Sequence, residues 1–184
     1  MRLTKSGYYA DFVVYPLAIL ALLAFDLSQI GAFKYSALAG YVLLGVAIWT
    51  LFEYVLHRHV LHRVPILHDM HEVHHADPAA LVGTPSWLSL LLFLAGSLLP
   101  AWWGLGVERA GALTAGMMFG YLCYVGVHHV THHWRLEPGT LLYRLKHRRA
   151  RHHYARTPGN FGVTSPIWDI VFGTDLNAAP RRDR

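Results

Sequence analysis

Residues 57–75 read HRHVLHRVPILHDMHEVHH, and this histidine-rich stretch directly follows a long apolar run. It contains seven of the 14 histidines in the 184-residue chain. The other seven lie in two later clusters, at residues 128–133 and 147–153. A neutral imidazole is the commonest metal ligand in proteins and suits iron, zinc and copper. The pattern therefore predicts that the rest of the chain brings the three clusters together around metal ions.

The composition is typical of a membrane protein. Hydrophobic residues make up 54% of the chain and charged residues only 15%, whereas about a quarter of the residues in a soluble domain are charged. A helix that spans a bilayer needs about 20 mainly apolar residues. Four segments are predicted to form such helices, at residues 12–27, 35–56, 86–105 and 110–127.

The basic residues are distributed unevenly over this predicted topology. With four spans, both termini and the loop between the second and third spans lie on one side of the membrane. That side carries 14 of the 16 lysines and arginines, and the other side carries only Lys34 and Arg109. Because cytoplasmic loops are enriched in basic residues, we expect both termini and all three histidine clusters in the cytoplasm. The membrane topology then accounts for the net charge of +5, and this charge gives no reason to expect a nucleic-acid partner.

Small residues predict how the spans pack. Gly40 and Gly45 on the second span, and Gly116 and Gly120 on the fourth, would allow two helices to approach closely. The single cysteine, Cys123, excludes an internal disulfide and a zinc site built from cysteine pairs. Because it lies in an apolar run, we expect it to be a buried small side chain.

The chain is predicted to form one domain over residues 1–176, followed by a disordered tail at residues 177–184. The apolar segment 161–172 is too short to span a bilayer. We expect it either to lie along the membrane or to cap the metal region.

The spacing of the histidines predicts which of them can share a metal. Residues three or four apart lie on the same face of a helix. Two sets have this spacing: His71, His74 and His75, and His128 and His132. His57 and His62 are five residues apart, about 140° around an α-helix, so they need a break in the helix or must approach the metal from different sides. So many histidines exceed what one ion binds and favour two ions.

These motifs resemble, in the same order, those of the fatty acid hydroxylase/sterol desaturase superfamily. The matching segments are EYVLHR at 53–58, His62, H-x-x-H-H at 71–75, H-x-x-x-H-H at 128–133, HHY at 152–154 and NFGVTSPIWD at 160–169. The resemblance implies an all-α integral membrane protein in which four transmembrane helices carry a cytosolic helical cap with a histidine-rich di-metal site. It also implies a membrane-bound oxygenase that hydroxylates or desaturates a lipid.

The resemblance also implies the metal ligands. They are His57, His62, His71, His74, His75, His128, His132, His152 and His153. The last histidine box departs from the usual H-x-x-H-H, because Arg149 stands three residues before His152. Either His147 replaces the missing ligand, or one metal has fewer ligands. Since a cation is repelled by a metal ion, we expect Arg149 to turn away.

Cofactor and partners follow from the same resemblance. Two iron ions are expected, with zinc possible in a purified sample. The substrate is a lipid from the bilayer, such as a fatty acyl chain, a sterol or another isoprenoid lipid. A fused cytochrome b5 domain does not fit in this sequence. Electrons are therefore expected from a separate protein, similar to cytochrome b5 or a ferredoxin. The basic run 144–156 could face anionic lipid headgroups or dock that protein.

Two other functions are compatible with parts of the pattern. His71-Glu72-Val73-His74-His75 contains H-E-x-x-H, the signature of zinc metalloproteases, with Glu72 as the general base. That mechanism would leave most of the other histidines without a role. Clustered histidines also suit a metal-binding or metal-transport protein, although the predicted spans carry almost no ionisable residues that would mark an ion path.

The remaining polar residues near the motifs have simpler interpretations. Glu53 could either orient a ligand imidazole or make an ordinary buried hydrogen bond. Trp168 and Asp169 are expected to close the cap, and His133 to support the ligands without binding metal. Three histidines are expected to be incidental: His59, His68 and His129.

Overall fold

The computed structural model describes residues 2–29 and 35–177, and most of these residues are helical. The α-helices are α1 Lys5–Tyr9, α2 Asp11–Gln29, α3 Tyr35–Val55, α4 Pro65–Ala76, α5 Ser86–Phe93, α6 Leu99–Leu105, α7 Val107–His133, α8 Leu141–Tyr154 and α9 Ile167–Val171. Two π-helical segments interrupt this order, Leu56–Leu61 after α3 and Leu94–Leu98 between α5 and α6. Within the described ranges, β pairing is limited to one bridge between Arg2 and Val82.

Four stretches of helix are long and apolar enough to cross a membrane. They are Lys5–Ser28, Tyr35–Leu61, Ser86–Leu105 and Val107–His133. The four predicted spans are thus confirmed, and the protein is an all-helical membrane protein with a histidine-rich cluster. Three of the helices extend beyond the apolar residues used to predict them. Backbone hydrogen bonding does not stop where polarity changes, so the fourth helix continues through the second histidine cluster.

The chain divides into two compact units, Met1–Trp49 with Ala80–Val125 and Thr50–Ala79 with Gly126–Arg184. All three histidine clusters belong to the second unit. The single domain expected over residues 1–176 stays a prediction, because compactness alone does not show what folds independently. The expected disordered tail, apart from Asn177, lies outside the described residues.

In the first unit, glycines allow α3 and α7 to touch through their backbones. A Cβ added to Gly45 would lie 2.2 Å from the carbonyl oxygen of Leu113, and one added to Gly116 would lie 2.1 Å from that of Val42. Gly120 packs in the same way against the side chain of Trp49. The predicted close packing is therefore confirmed for these glycines. It is wrong for Gly40, which faces open space.

Two features of the first unit differ from simple sequence expectations. Asp11 is buried, and its carboxylate accepts hydrogen bonds from Ser86 Oγ at 2.5 Å and Tyr121 Oη at 2.7 Å. The sequence analysis did not single out this polar contact between three helices. Cys123 is exposed, so its predicted burial is wrong. Apolar side chains on a membrane helix can face lipid instead of protein, so an apolar run does not imply burial within the chain.

Candidate metal centre

The second unit assembles the histidines from four places in the chain. They come from the π-helical segment Leu56–Leu61 and the residue after it, from α4, from the end of α7 and from α8. The loop that follows α8 lies over several of the rings: Phe161 contacts the imidazoles of His57, His62 and His152, with centroid separations of 5.5–5.8 Å. The prediction that segment 161–172 caps the metal region is confirmed for Phe161.

The π-helical segment explains how His57 and His62 share a site. In a π-helix the backbone hydrogen bonds join residues five apart, so side chains at this spacing lie almost above one another. The rings of His57 and His62 are accordingly 5.1 Å apart. The predicted break in the helix is confirmed, and its form is one wide turn that aligns both histidines.

Five histidines form the first ligand group, which we call the five-histidine group. It contains His57, His62, His71, His75 and His152, and one ring nitrogen from each lies within 4.8 Å of all the others. The Nε2 atom of His71 is 3.1 Å from the Nε2 atoms of both His57 and His75. His62 Nε2 is 3.2 Å from His152 Nε2. Two nitrogens bound to one ion at about 2.1 Å lie roughly 3.0–3.4 Å apart. The spacing therefore matches ligands that surround one metal ion.

A second ligand group, the three-histidine group, contains His74, His128 and His132. His128 and His132 are four residues apart on α7, so their rings share a face, with centroids 4.7 Å apart. His74 Nε2 approaches His128 Nε2 to 3.0 Å. The histidine nitrogens thus form two groups, and the predicted number of two ions stays a prediction.

Backbone carbonyls orient two of the rings and decide which nitrogen faces the metal position. His57 Nδ1 lies 2.5 Å from the carbonyl oxygen of Phe161, and His152 Nδ1 lies 2.8 Å from that of Gly159. Because a carbonyl can only accept, both Nδ1 atoms carry the proton. Each Nε2 then presents a lone pair to the five-histidine group. Such outer hydrogen bonds commonly orient metal-ligating histidines.

Glu53 and Asp169 hold the loop that supplies the carbonyl of Phe161. Both carboxylates are buried. Glu53 accepts hydrogen bonds from the amides of Val163 and Thr164 and from the Thr164 hydroxyl. Asp169 accepts from the amides of Phe161 and Gly162. Glu53 therefore makes buried hydrogen bonds, and it acts on a ligand imidazole only through the loop. The structural role predicted for Asp169 is confirmed.

Burial keeps these imidazoles neutral at physiological pH. Loss of hydration lowers the pKa of His62 and of His75 to about 4, and the charge of Arg149 adds to the effect. The same two causes lower the pKa of His71 and of His152 further. A neutral imidazole has a lone pair available, so these side chains are ready to bind metal at pH 7 without first losing a proton.

Arg149 does not turn away, and the expectation that it would is wrong. It is only 4% exposed and points into the centre. Its Nε lies 3.3 Å from His132 Nε2, and its Nη2 lies 3.3 Å from His74 Nε2 and 3.4 Å from His128 Nε2. The physical reason is that the buried guanidinium needs hydrogen-bond acceptors, and the lone pairs of these ring nitrogens supply them. His147, the proposed replacement ligand, is exposed on α8.

The other histidines lie outside both ligand groups. The ring of His153 lies 4.3 Å from that of His75 and 4.9 Å from those of His74 and His132. It belongs to neither group, and its role as a ligand stays a prediction. His59 is exposed, and His68 lies 3.8 Å from Glu72. His133, which was expected to support the ligands, has an exposed ring stacked on His129 at 4.6 Å.

The geometry gives no support to the protease alternative. Glu72 would have to face a metal-bound water, yet its side chain is 52% exposed and its carboxylate lies beside His68. His71 and His75 share their group with three further histidines. A site with five nitrogen ligands differs from a catalytic zinc site, which has three protein ligands and an open position.

The donor set decides which group fits a metal ion. The five-histidine group offers only neutral nitrogens at ligand spacing, which suits iron, zinc or copper. The three-histidine group has suitable spacing, but all three of its Nε2 atoms already face the Arg149 guanidinium. The structure therefore fits a metal in the first group and, in this arrangement, does not fit one in the second.

Sequence reasoning missed the residue that shapes the loop after α8. Asn160 is 1% exposed and has a φ of 53°, a left-handed conformation that asparagine tolerates better than most residues. Its side chain donates to the carbonyl of Arg148 and accepts from the amide of Leu176. The signal was present, because Asn160 begins the last quoted motif, but hydropathy and histidine spacing do not score it.

Comparison with known proteins identifies similar sequences and a similar structure. Residues 42–174 match the fatty acid hydroxylase family. The chain is 34% identical to a dihydroceramide fatty acyl 2-hydroxylase of Arabidopsis thaliana, over 78% of this chain and 64% of that protein. It is 38% identical to a ceramide very long chain fatty acid hydroxylase of Saccharomyces cerevisiae, over 72% of this chain and 37% of the relative. The chain thus spans about one to two thirds of these relatives.

A solved structure supports the same relationship. It is described as full-length Scs7p with only the hydroxylase domain visible, and it is 31% identical to this chain. The likeness covers 96% of this chain and 70% of that one, with a TM-score of 0.81.

Proposed function

Because the chain belongs to the fatty acid hydroxylase family, we propose that it is a membrane-bound, metal-dependent enzyme that hydroxylates a lipid with O2. The observation that carries this proposal is the five-histidine group, whose ring nitrogens lie within 4.8 Å of one another. Neither a structural role nor metal transport requires five neutral imidazoles to converge in this way.

We infer the substrate class from the relatives. Two of them are named as a dihydroceramide fatty acyl 2-hydroxylase and a ceramide very long chain fatty acid hydroxylase. The proposed substrate is accordingly a fatty acyl chain, either free or as part of a ceramide-like lipid. The proposed reaction places a hydroxyl group on carbon 2 of that chain. Hydroxylation is favoured over desaturation because both names describe hydroxylases.

The reaction determines what must be supplied from outside. Conversion of a C–H bond to C–OH by O2 places one oxygen atom in the lipid and the other in water, and it consumes two electrons and two protons. We propose that iron is the metal, since zinc has no redox chemistry; bound iron would supply the activation of O2. The histidine pattern and the resemblance led us to expect two iron ions.

The chain's own residues prepare the site for this chemistry. The carbonyls of Phe161 and Gly159 hold the Nδ1 protons of His57 and His152, so that both Nε2 lone pairs would be available to an ion in the five-histidine group. The Phe161 ring lies over the imidazoles and helps to exclude water. A cavity of about 360 Å³, lined in part by His132 and His153, opens beside the three-histidine group. Its volume is within the usual range for small-molecule sites, so it could hold part of a substrate.

Electrons are proposed to come from a separate protein similar to cytochrome b5 or a ferredoxin. α8 carries exposed basic residues, including Arg144 and Arg151, and such a surface attracts an acidic partner. The distribution of lysine and arginine supports a cytoplasmic location for the termini and the histidine clusters. On α9, Ile167, Ile170 and Val171 are 56–62% exposed, which suits contact with a membrane surface.

Lipid analysis of a host that lacks 2-hydroxylated acyl chains tests the proposal. Expression of the chain, with a compatible electron donor, should produce acyl chains that are heavier by one oxygen atom, with the hydroxyl on carbon 2. The double variant His71→Ala/His75→Ala should lower product by about 100-fold or more, because loss of only the outer partners of metal ligands already costs about 10–100-fold. The variant His59→Ala, which changes an exposed histidine outside the ligand groups, is the control. Identical lipid profiles with wild type and the double variant would refute the proposed activity.

A further inference from the structure

The guanidinium of Arg149 lies where a second metal ion would be expected. Three of its N–H groups point at the three-histidine group, with nitrogen–nitrogen distances of 3.3 Å to His132, 3.3 Å to His74 and 3.4 Å to His128. A guanidinium has only donors and stays protonated in proteins, so all three Nε2 atoms act as acceptors. One cation is therefore hydrogen-bonded to every ligand nitrogen of this group.

A metal ion and this guanidinium would compete for the same lone pairs on the ring nitrogens. Each imidazole Nε2 has a single lone pair in the plane of its ring, and that lone pair can serve either an N–H donor or a metal ion. A divalent ion at ligand distance from the three nitrogens would also be only a few ångströms from the positive guanidinium. Both the lone pairs and the charge repulsion exclude simultaneous occupancy.

The fold holds Arg149 in this position. Leu145, Arg149 and His152 form the buried face of α8, at the i, i+4 and i+7 spacing of a helix face. His152 belongs to the five-histidine group, and the neighbouring Arg148 pairs with Asp169 at 3.2 Å and Asp175 at 2.7 Å. Rotation of α8 to expose Arg149 would break these ion pairs and remove His152 from its group.

The guanidinium of Arg149 approaches the five-histidine group at one of its members. Arg149 Nη1 lies 3.4 Å from His57 Nε2, and His57 is the member of the group that it faces. The ring nitrogens of His62, His71, His75 and His152 lie within 4.8 Å of one another. Four nitrogens are enough to bind an ion, so this group can hold one beside Arg149.

We propose that Arg149 takes the second metal position, so that this chain binds one metal ion in the five-histidine group beside a fixed organic cation. This inference concerns the same centre as the proposed hydroxylase and rests on its metal dependence. It gives a physical meaning to the departure of the last histidine box from H-x-x-H-H. Position 149 carries an arginine where a ligand histidine is usual, and its guanidinium takes the place of the second ion.

Metal counting on the purified full chain tests the inference without any lipid substrate. The protein is stripped with a chelator in detergent, loaded with excess Zn(II), desalted and analysed by inductively coupled plasma mass spectrometry. In wild type, the ratio of zinc to protein should not change when His74→Ala and His128→Ala are introduced, because the three-histidine group holds no ion. A fall in the ratio in that double variant would overturn the inference.

Substitution of Arg149 gives the complementary result. Arg149→His should raise the ratio by one ion per chain, and addition of His74→Ala and His128→Ala should remove that ion again. Arg149→Met keeps a long side chain without charge, and it should also admit a second ion, because three histidines suffice for zinc. Arg151→His adds a histidine on the exposed part of the same helix and should leave the ratio unchanged. If neither change at position 149 raises the ratio, the inference is wrong.

The zinc-to-protein ratios, compared with the yield of hydroxylated lipid, distinguish failure of this inference from failure of the proposed activity. A wild-type chain that binds zinc only in the five-histidine group, yet forms no hydroxylated lipid with iron, would uphold the inference and refute the activity. Suppose instead that the wild-type chain forms hydroxylated lipid and that its zinc-to-protein ratio falls when His74→Ala and His128→Ala are introduced. That result would uphold the activity and refute the inference.

Discussion

At the residue scale, Glu53 shows how a buried charge acts on the metal centre from a distance. Its carboxylate accepts hydrogen bonds from two amides and one hydroxyl of Val163 and Thr164. The same loop carries Phe161, whose carbonyl binds the Nδ1 proton of His57. The sequence could suggest Glu53 as a partner of an imidazole, because it precedes His57 by one helical turn. It could not show that the contact runs through a loop more than a hundred residues away.

The change Glu53→Gln tests this role. An amide NH2 cannot accept the hydrogen bonds that the carboxylate oxygen accepts, so at least one buried donor loses its partner or the side chain must shift. We expect the free energy of unfolding to fall by about 1–3 kcal/mol, together with a lower metal content. Thermal unfolding in detergent and metal analysis measure both effects.

A matched change of the same chemistry supplies the control. Glu72→Gln alters a carboxylate that is 52% exposed, and it should change neither stability nor hydroxylated product. An unchanged Glu53→Gln protein would show that the loop does not depend on this carboxylate. Loss of hydroxylated product in Glu72→Gln with stability intact would contradict the peripheral position assigned to this carboxylate.

At the scale of elements, local features of single helices position the histidine ligands and allow two helices to pack closely. The π-helical turn at Leu56–Leu61 brings His57 and His62 onto one side, which an α-helix would prevent. Glycines act similarly on α3 and α7, where backbone atoms of the two helices meet at Gly45 and Gly116. The sequence indicated these glycines as a set, but only packing distinguished Gly45 from Gly40.

Two substitutions on α3 test the helix contact. Gly45→Ala places a methyl group 2.2 Å from the Leu113 carbonyl oxygen, so α3 and α7 must separate. We expect the free energy of unfolding to fall by about 1–3 kcal/mol, as overpacking of a well-packed core typically costs. Gly40→Ala, on the same helix but facing open space, should be neutral or slightly stabilising. Equal unfolding temperatures for the two variants would contradict the close contact.

At the scale of the whole molecule, orientation in the membrane is the property that charge distribution predicts. The basic residues concentrate on the side that carries the histidine clusters in the predicted topology. The four apolar helices supply the spans on which that topology depends. A cytoplasmic position would place the centre where a soluble electron carrier could reach it.

Cysteine labelling tests the orientation. In a Cys123→Ser background, Glu108→Cys and Glu137→Cys each change an exposed glutamate, one at the start of the fourth membrane-spanning helix and one after its end. An impermeant thiol reagent should label Glu108→Cys in intact cells. It should label Glu137→Cys only after the membrane is permeabilised. The opposite pattern would place the histidine clusters outside the cytoplasm.

The sequence by itself determined the four membrane-spanning helices and the family. It also determined that all three histidine clusters contribute to the candidate metal centre. These properties are local: hydropathy depends on neighbouring residues, and i, i+3 and i+4 spacing depends on the regular helix. It also indicated that position 149 is unusual.

Only the tertiary structure decided how the histidines divide into two groups, that His153 belongs to neither, and that Arg149 faces inward. Distances such as the 3.2 Å between His62 and His152, 90 residues apart, depend on how helices pack. The direction of the Arg149 side chain depends on even more distant parts of the chain. A buried cation is placed by all the lone pairs around it, and those lone pairs come from helices far apart in the chain.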